Sequence, residues 1–221
     1  MKRISSSLAA AVFVAAGLIA PSVSFAADTW QIDPAHSSAQ FSVTHLMIST
    51  VRGDFGSMSG TVEFDGKSVG SIKVDATIDT ASISTNNDKR DAHLKSADFF
   101  DVAKYPTLTF KSTKVVPGTD GTFKLVGDLT MHGVTKEVTL EVTAPSQVIK
   151  GMRGESRVAA SATAKINRQD FGVKWNADLD GGGVVVSDTV KITLDIEALL
   201  PPATPPPAPP APPAPPAPPK N

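Results

Sequence analysis

Residues 123–142 read "FKLVGDLTMHGVTKEVTLEV", and they carry the clearest strand pattern of the chain. Apolar side chains occupy alternate positions on both sides of the dipeptide His132-Gly133, with polar side chains between them. A period of two is typical of a strand with one enclosed face and one wet face, and a dipeptide ending in glycine favours a turn. The stretch therefore predicts two strands joined by a short turn. Its enclosed positions are Phe123, Leu125, Leu129, Met131, Val138, Leu140 and Val142.

The same alternation recurs on both sides of this stretch. It predicts eight or so long strands with short polar connections, a pattern typical of an antiparallel sandwich or barrel. The residues alone leave these two architectures open. The remaining alternating positions are Ala39, Phe41, Val43 and His45; Val62 and Phe64; Ile72, Val74, Ala76 and Ile78; Leu108 and Phe110; Val158, Ala160, Ala162, Ala164 and Ile166; and Val184, Val186, Val190, Ile192, Leu194 and Ile196.

One segment departs from the strand pattern, "NNDKRDAHLKSADFF" at residues 86–100. Its charged and apolar residues fall at helical spacing. Asn86 or Asn87 can cap a helix, and Asp88 and Asp91 lie in the first turn, where acidic side chains are favoured. We therefore expect one short amphipathic helix between strands.

The N-terminal segment reads "MKRISSSLAAAVFVAAGLIAPSVSFAADTW". Lys2 and Arg3 precede an apolar run from residue 8 to 20 that is too short to span a bilayer, and Ser24-Phe25-Ala26 fits a small-x-small cleavage site. We expect residues 1–26 to be a signal peptide that is removed after export. The mature protein would then be periplasmic or secreted, without a transmembrane anchor.

The net charge and the absence of cysteine limit which partners the protein can bind and whether disulfides can stabilise it. Loss of Lys2 and Arg3 with the signal changes the formal net charge from −1 to −3. A small negative net charge does not indicate binding to nucleic acid or to an acidic bilayer surface. The chain contains no cysteine, so an exported fold would be held by its core without disulfides.

The C-terminal segment is almost pure proline and alanine. It contains 13 of the 18 prolines, favours polyproline II and cannot bury a core. We expect residues 200–221 to be a solvated spacer, with a ligand for a proline-recognising domain as the alternative. The remaining residues, 27–199, have the size of one domain.

The motifs that could carry catalysis or a metal are incomplete. The four histidines lack a metal-ligand spacing, and "GSMSG" at 56–60 has methionine where a nucleophile elbow has serine. "NADLDGG" at 176–182 matches the first half of a calcium loop, but Ser187 stands where the closing glutamate belongs. We therefore expect no catalytic residues, no metal and no cofactor.

Four stretches in fixed order identify a family. They are "AHSSAQFSVTHLMISTVRGDFGSMSGTVEFD" (35–65), "DKRDAHLKSADFFDVAKYPTLTFKST" (88–113), "VGDLTMHGVTKEVTLEV" (126–142) and "INRQDFGV" (166–173). Together they resemble the YceI-like family of bacterial exported proteins over about residues 30–198. The resemblance implies an all-β fold, an extended eight-stranded antiparallel barrel similar to the lipocalins, with one short helix inserted near residues 87–100.

The resemblance also implies a function. Members of the family hold a long apolar molecule, polyisoprenoid or fatty-acid-like, in an elongated cavity, which suits an eight-stranded barrel. We expect a non-enzymatic carrier or store for such a lipid, with a homodimer left open. His45 would offer a polar handle to a head group, and the helix would cover the barrel. The residues expected to contact the lipid are Phe41, Val43, His45, Phe55, Phe64, Ile78, Leu94, Phe99, Phe110, Leu129, Phe171 and Trp175.

Two other classes of function stay open at this stage. One is a lipid-modifying enzyme, such as a hydrolase or an isomerase. The other is an envelope structural or stress protein that uses its proline-rich tail.

Overall fold

The computed structural model describes residues 27–202. The expected signal peptide, residues 1–26, lies outside the described residues, and so does the expected tail from residue 203 onward. Leu200, where the tail was expected to begin, is the last residue of a strand. Within residues 27–202 the chain forms twelve strands and one α-helix. They are β1 (Asp28–Ile32), β2 (Ser38–His45), β3 (Ser49–Phe55), β4 (Met58–Phe64), β5 (Lys73–Asp79), β6 (Ile83–Ser84), α1 (Asp88–Lys95), β7 (Thr107–Pro117), β8 (Thr122–Met131), β9 (Val134–Thr143), β10 (Ile149–Lys150), β11 (Ser156–Asn167) and β12 (Thr189–Leu200).

Eight of these strands close into an antiparallel barrel, as the resemblance implied. Their order around the ring is β1-β4-β5-β7-β8-β9-β11-β12, and β12 pairs with β1 to complete it. The narrowest pairings of the ring are those of β9 with β11 and of β12 with β1, and each has only two residue pairs in register. Closure gives the ring a single interior, so the enclosed face that the alternation predicted lies inside a barrel rather than between two sheets.

One wall of the barrel is extended beyond the ring. The edge of β12 that pairs with β1 near Ala198 pairs with β2 from Asp195 to Lys191. Strand β2 continues into β3, and the last residues of β3 pair with the short strand β6. The β2–β3 hairpin therefore extends one side of the barrel wall beyond the ring. This extension lies next to α1, the helix that follows β6.

The turn between β8 and β9 confirms the interpretation of residues 123–142. Met131 pairs with Val134, which leaves only His132 and Gly133 in the turn. Both have positive φ, 51° and 74°, as in the turn type that matches the twist of a hairpin. Glycine meets this requirement without a Cβ, and here a Cβ would lie 2.5 Å from the Tyr105 ring.

The predicted helix is present but shorter than residues 87–100. The Asn87 side chain accepts a hydrogen bond from the Arg90 backbone N–H at 3.0 Å, and the helix ends at Lys95. The Phe100 N–H then donates to the Leu94 carbonyl at 3.0 Å, which turns the chain back toward the barrel. Phe99 and Phe100 follow the helix in this turn instead of extending it.

The last predicted strand begins later than the alternation indicated. Strand β12 begins at Thr189, and Val184 and Val186 form only isolated bridges with Asp178 and His45. The cause is the Asn176 side chain, which donates to the Val186 carbonyl at 2.8 Å and accepts from the Val186 N–H at 3.1 Å. These contacts hold residues 176–186 in a loop over the end of the barrel.

Candidate functional site

The interior of the barrel contains a cavity of about 420 Å³. This volume lies within the range of about 300–1,000 Å³ typical of ligand pockets. The side chains that line it are almost all aliphatic or aromatic, and they come from every strand of the ring.

Strand β12 shows how far the cavity extends. Every second residue from Val190 to Ala198 lines it, because alternate side chains of a strand point to the same face. Eight residue steps correspond to about 26 Å along the strand at about 3.3 Å per residue. The cavity is therefore elongated, with a shape that suits an extended chain.

The two ends of the cavity differ in burial. At one end, which we call the closed end, the lining side chains are buried, with Phe123 only 2% exposed. At the other, which we call the open end, the lining includes His93, whose side chain is 41% exposed. The open end is bordered by α1, the β2–β3 turn and residues 173–186. The closed-end residues are Ile32, Phe64, Ile72, Phe123, Val158 and Ala198.

Eleven of the twelve residues expected to contact a ligand line this cavity. The exception is Phe171, which is 2% exposed and does not reach it. Phe171 ends a 3₁₀ turn at Arg168–Phe171, so its ring packs in the core around the cavity while Val173 lines it instead. That the other eleven contact a ligand stays a prediction.

Val51, Met58 and Val185 line the cavity without a signal in the sequence, whereas the alternation predicted most of the other lining residues. Two of the cavity phenylalanines lie across glycines of the neighbouring strand. A Cβ at Gly53 would lie 2.5 Å from the Phe41 ring, and one at Gly127 would lie 2.6 Å from the Phe110 ring. These glycines let the rings lie along the wall, so the middle of the barrel stays open. Further lining residues are Val51, Met58, Val62, Leu125, Met131, Val138, Leu140, Val142, Val185, Val186, Ile192 and Leu194.

A polar group lies at the open end. The Thr85 N–H and hydroxyl both donate to Asp91 Oδ1, and Arg90 donates through Nε to the Thr85 hydroxyl at 2.7 Å and through Nη2 to the Thr85 carbonyl at 2.8 Å. Arg90 and Asp91 are therefore linked indirectly, because Thr85 lies between them. Arg90 lines the cavity and makes no other side-chain hydrogen bond and no ion pair within residues 27–202. A guanidinium has five N–H donors, so three of its donors stay available.

His93 joins the helix to the loop opposite. Its Nε2 lies 3.0 Å from Asp98 Oδ2, and its ring meets those of Phe99 and Trp175 edge-on at 5.0 Å between centroids. The ring thus has packing partners on two sides and a carboxylate at its edge. This arrangement holds Trp175 and Phe99 at the rim of the cavity.

Arg168, a second arginine of the lining, is fully engaged. It is 4% exposed and donates to the carbonyls of Val173, Trp175, Val186 and Ser187 and to the Asp188 carboxylate. Burial lowers the pKa of this guanidinium, and the Asp188 charge opposes that effect. Arg168 therefore fastens the 173–188 segment to the barrel.

An ion network centred on Arg157 lies on the outer face of the barrel wall near the closed end. Its guanidinium contacts Asp33 at 3.0 Å, Glu155 at 2.9 Å and Glu197. A hydrogen bond from His36 is the main influence holding the pKa of Asp33 below its ordinary value, and Arg157 does the same for the pKa of Glu155. Asp33, His36 and Glu197 are close enough to share an ion, but Arg157 already neutralises Asp33 and Glu197.

The partial calcium motif belongs to the loop described above. The Asn176 side-chain oxygen accepts from the N–H groups of Ala177 and Val186, while Asp178 and Asp180 are exposed. The asparagine thus shapes the loop rather than facing the two carboxylates. No helix within residues 27–202 is long and apolar enough to cross a membrane.

Similarity to known proteins shows which family has this barrel and cavity. The YceI-like domain matches residues 30–198. The chain belongs to this family. A UPF0312 protein of Staphylococcus aureus, strain bovine RF122, is 38% identical over 165 residues, which cover 75% of this chain and 94% of that protein. A UPF0312 protein of strain N315 is also 38% identical over 165 residues, with the same coverage.

Three solved structures have a similar fold. BcnA of Burkholderia cenocepacia superposes with a TM-score of 0.64 at 25% identity, over 75% of this chain and 98% of that one. A YceI protein of Campylobacter jejuni gives 0.61 at 34% identity, over 71% and 89%. A polyisoprenoid binding domain from Saccharophagus degradans gives 0.57 at 19% identity, over 78% and 98%, which shows a likeness of fold.

Proposed function

We propose that this YceI-like protein is a periplasmic binding protein that holds one long apolar chain inside its barrel, for transport or storage. The observation that carries the proposal is the elongated cavity of about 420 Å³ with its apolar lining. The Saccharophagus degradans domain is described as polyisoprenoid-binding, and its fold is similar, so isoprenoids are the first ligands to test.

Energetics favour long chains over short ones. Each buried methylene contributes about 0.8 kcal/mol, so about ten contribute roughly 8 kcal/mol. Association costs an estimated 4–15 kcal/mol in lost freedom of motion. Only a chain long enough to fill much of the cavity offsets that cost, which is why we expect affinity to rise steeply with chain length.

The polar side chains at the open end suggest how a bound lipid is oriented in the cavity. The apolar tail would lie toward the closed end, where Ile32, Phe123 and Ala198 are buried. The polar group of the lipid would then lie near Arg90, whose available N–H donors face that end. His45 lines the same end, and its side chain would be a second polar handle for the head group.

We further propose that the protein binds its lipid without converting it. Three polar side chains of the open end are engaged in structural contacts: Thr85 with Asp91 and Arg90, His93 with Asp98, and Arg168 with four carbonyls. Turnover of a lipid ester by the pure protein would contradict this and favour the enzyme alternative. Native mass spectrometry of protein isolated from its own periplasm, which we expect to reveal a bound lipid, tests the proposal directly.

A substitution inside the barrel tests where the lipid lies. Ala162 lines the cavity in the middle of β11, so Ala162→Phe should fill the open space and reduce the affinity for a long-chain isoprenoid by tenfold or more, on the order of 1.4 kcal/mol. The melting temperature should change little, because the space is already present. Overpacking a filled core would instead cost about 1–3 kcal/mol of stability.

The neighbouring residue provides the control. Thr163 is exposed on the outer face of the same strand, so Thr163→Phe adds the same ring outside the barrel and should leave binding unchanged. Loss of stability in the Ala162 variant, or isoprenoid binding equal to that of the wild type, would show that the ligand does not occupy the interior.

A further inference from the structure

The turn between β2 and β3 exposes three consecutive apolar side chains. Leu46 is 38% exposed, Met47 61% and Ile48 85%. Single exposed apolar residues are common on protein surfaces, but a contiguous apolar group marks a contact site. We call residues 46–48 the rim turn.

The backbone of the rim turn makes this choice of residues unusual. Leu46 and Met47 have φ of 50° and 64°, and the Ile48 N–H donates to the His45 carbonyl at 3.1 Å. Two successive residues with positive φ strongly favour Asn-Gly over bulky side chains. The turn at His132-Gly133 follows that preference at its second position, and the rim turn does not. Strain of this kind persists where it serves a function.

The rim turn lies directly at the open end of the cavity. Val43 and His45 precede it, Val51 follows it, and all three line the cavity. The Leu46 N–H donates to the carbonyl of Val185, another lining residue, at 2.9 Å. Met47 lies over Gly183, where a Cβ would come within 3.2 Å of its Cγ. The exposed apolar group is therefore continuous with the apolar lining.

The surroundings of the rim turn define the partner that it fits. Residues 43–51 contain no lysine, arginine, aspartate or glutamate, and neither do residues 181–187. An uncharged apolar projection suits insertion into the boundary between head groups and acyl chains, where binding scales with buried apolar area. It does not suit a partner that is held by its negative charge.

We propose that the rim turn docks the barrel onto the surface of a lipid bilayer, with Leu46, Met47 and Ile48 inserted. A lipid chain then passes between bilayer and cavity along a continuous apolar path and does not cross water. The direction of this transfer rests on the proposed function, whereas docking does not. Because the rim turn carries no charge, docking occurs on neutral bilayers and depends little on salt.

The decisive variant replaces Leu46-Met47 by Asn-Gly, through Leu46→Asn with Met47→Gly. This pair suits the backbone of the turn, so the variant should fold with a melting temperature equal to or above that of the wild type. The measurement is flotation of the full exported protein with phosphatidylcholine vesicles at low and high salt. We expect the wild type to float with the vesicles at both salt concentrations and the variant to lose about tenfold or more of its binding.

The opposite side of the molecule provides a matched control. Ile149 and Met152 are 59% and 105% exposed in the β10–β11 hairpin, next to the closed end. Ile149→Asn with Met152→Gly makes the same change in composition there and should leave flotation unchanged. Wild-type protein that stays with the buffer, or a rim variant that floats as well as the wild type, overturns the proposal.

Two further measurements separate the alternatives. If sedimentation velocity shows that the rim variant abolishes a dimer while vesicle binding is absent in both proteins, the rim turn is an interface between two copies and the proposal fails. Equilibrium binding of a fluorescent fatty acid in the absence of vesicles should be equal in wild type and variant. Failure of both proteins to bind it would contradict the proposed function and leave docking to be judged by flotation alone.

Discussion

The closed and open ends of the barrel are built on different principles. At the closed end, Arg157 joins three carboxylates and the lining side chains are buried. At the open end, Leu46, Met47 and Asn86 have positive φ, and Arg90 has hydrogen-bond donors to spare. We therefore expect the closed end to contribute more to stability than the open end, where a ligand would enter.

The largest expected effect separates two phenylalanines that line the cavity, a buried one at the closed end and a half-buried one in the middle. Phe123→Ala removes a ring that is 2% exposed at the closed end, and a substitution of this kind costs about 3–5 kcal/mol of unfolding free energy. Phe110→Ala removes a ring that borders open space, so fewer contacts are lost and the cost should be clearly smaller. Urea unfolding of both variants measures the difference.

In a binding assay the two alanine variants should have the opposite order, with the larger effect from Phe110→Ala. Phe110 lines the middle of the cavity, so its loss should weaken binding of a long-chain isoprenoid more than its modest effect on stability would suggest. Equal destabilisation by the two alanine variants would mean that the barrel is packed evenly from end to end. The contrast between the two ends would then be wrong.

A smaller effect is expected from the ion network of the closed end. Arg157→Ala leaves Asp33, Glu155 and Glu197 without their shared cation, so the melting temperature at neutral pH should fall. Lys73→Ala is the control, because Lys73 pairs with Glu63 in a well-exposed bridge of the kind that contributes little. A fall no larger than that of the control would show that the network does not stabilise this end of the barrel.

The pH dependence of this effect has a definite sign. Asp33 and Glu155 have pKa values held below 3.8 and 4.5, so their contribution to stability is present above those values and is lost as the pH falls through the lower, folded-state pKa values. The difference in melting temperature between wild type and Arg157→Ala should therefore shrink below about pH 4. A difference in melting temperature that grows on acidification would contradict a stabilising role for the ionised forms of Asp33 and Glu155.

The two ends also differ in how well the sequence predicts them. Period-two alternation identified the inward face of β8, β9 and β11, because burial on one side of a strand requires an apolar residue at every second position. It did not place Phe171 outside the cavity, since a 3₁₀ turn changes the direction of the chain there. Nor did it reveal the rim turn or the role of Thr85, because positive φ and side-chain hydrogen bonds leave no periodic trace.

The smallest expected effect concerns the orientation of the ligand at the open end. Arg90 keeps three N–H donors available at the edge of the cavity, and charged hydrogen bonds are the stronger ones. If the polar group of the lipid lies there, Arg90→Gln should weaken binding of a long-chain fatty acid by about fivefold, the equivalent of about 1 kcal/mol at a partly exposed site. Binding of the fatty alcohol of equal length should change much less, because the alcohol has no charge to lose.

The comparison of acid with alcohol isolates this role from a structural one. Arg90 also anchors α1 to Thr85, and weakening that anchor would affect both ligands equally. Lys89→Gln makes the same change of charge on an exposed neighbour, so it controls for the general electrostatic field. If Arg90→Gln reduces the affinities for acid and alcohol by the same factor, the arginine supports the helix and the head group lies elsewhere. A loss confined to the acid places the head group at the open end and the tail toward Phe123.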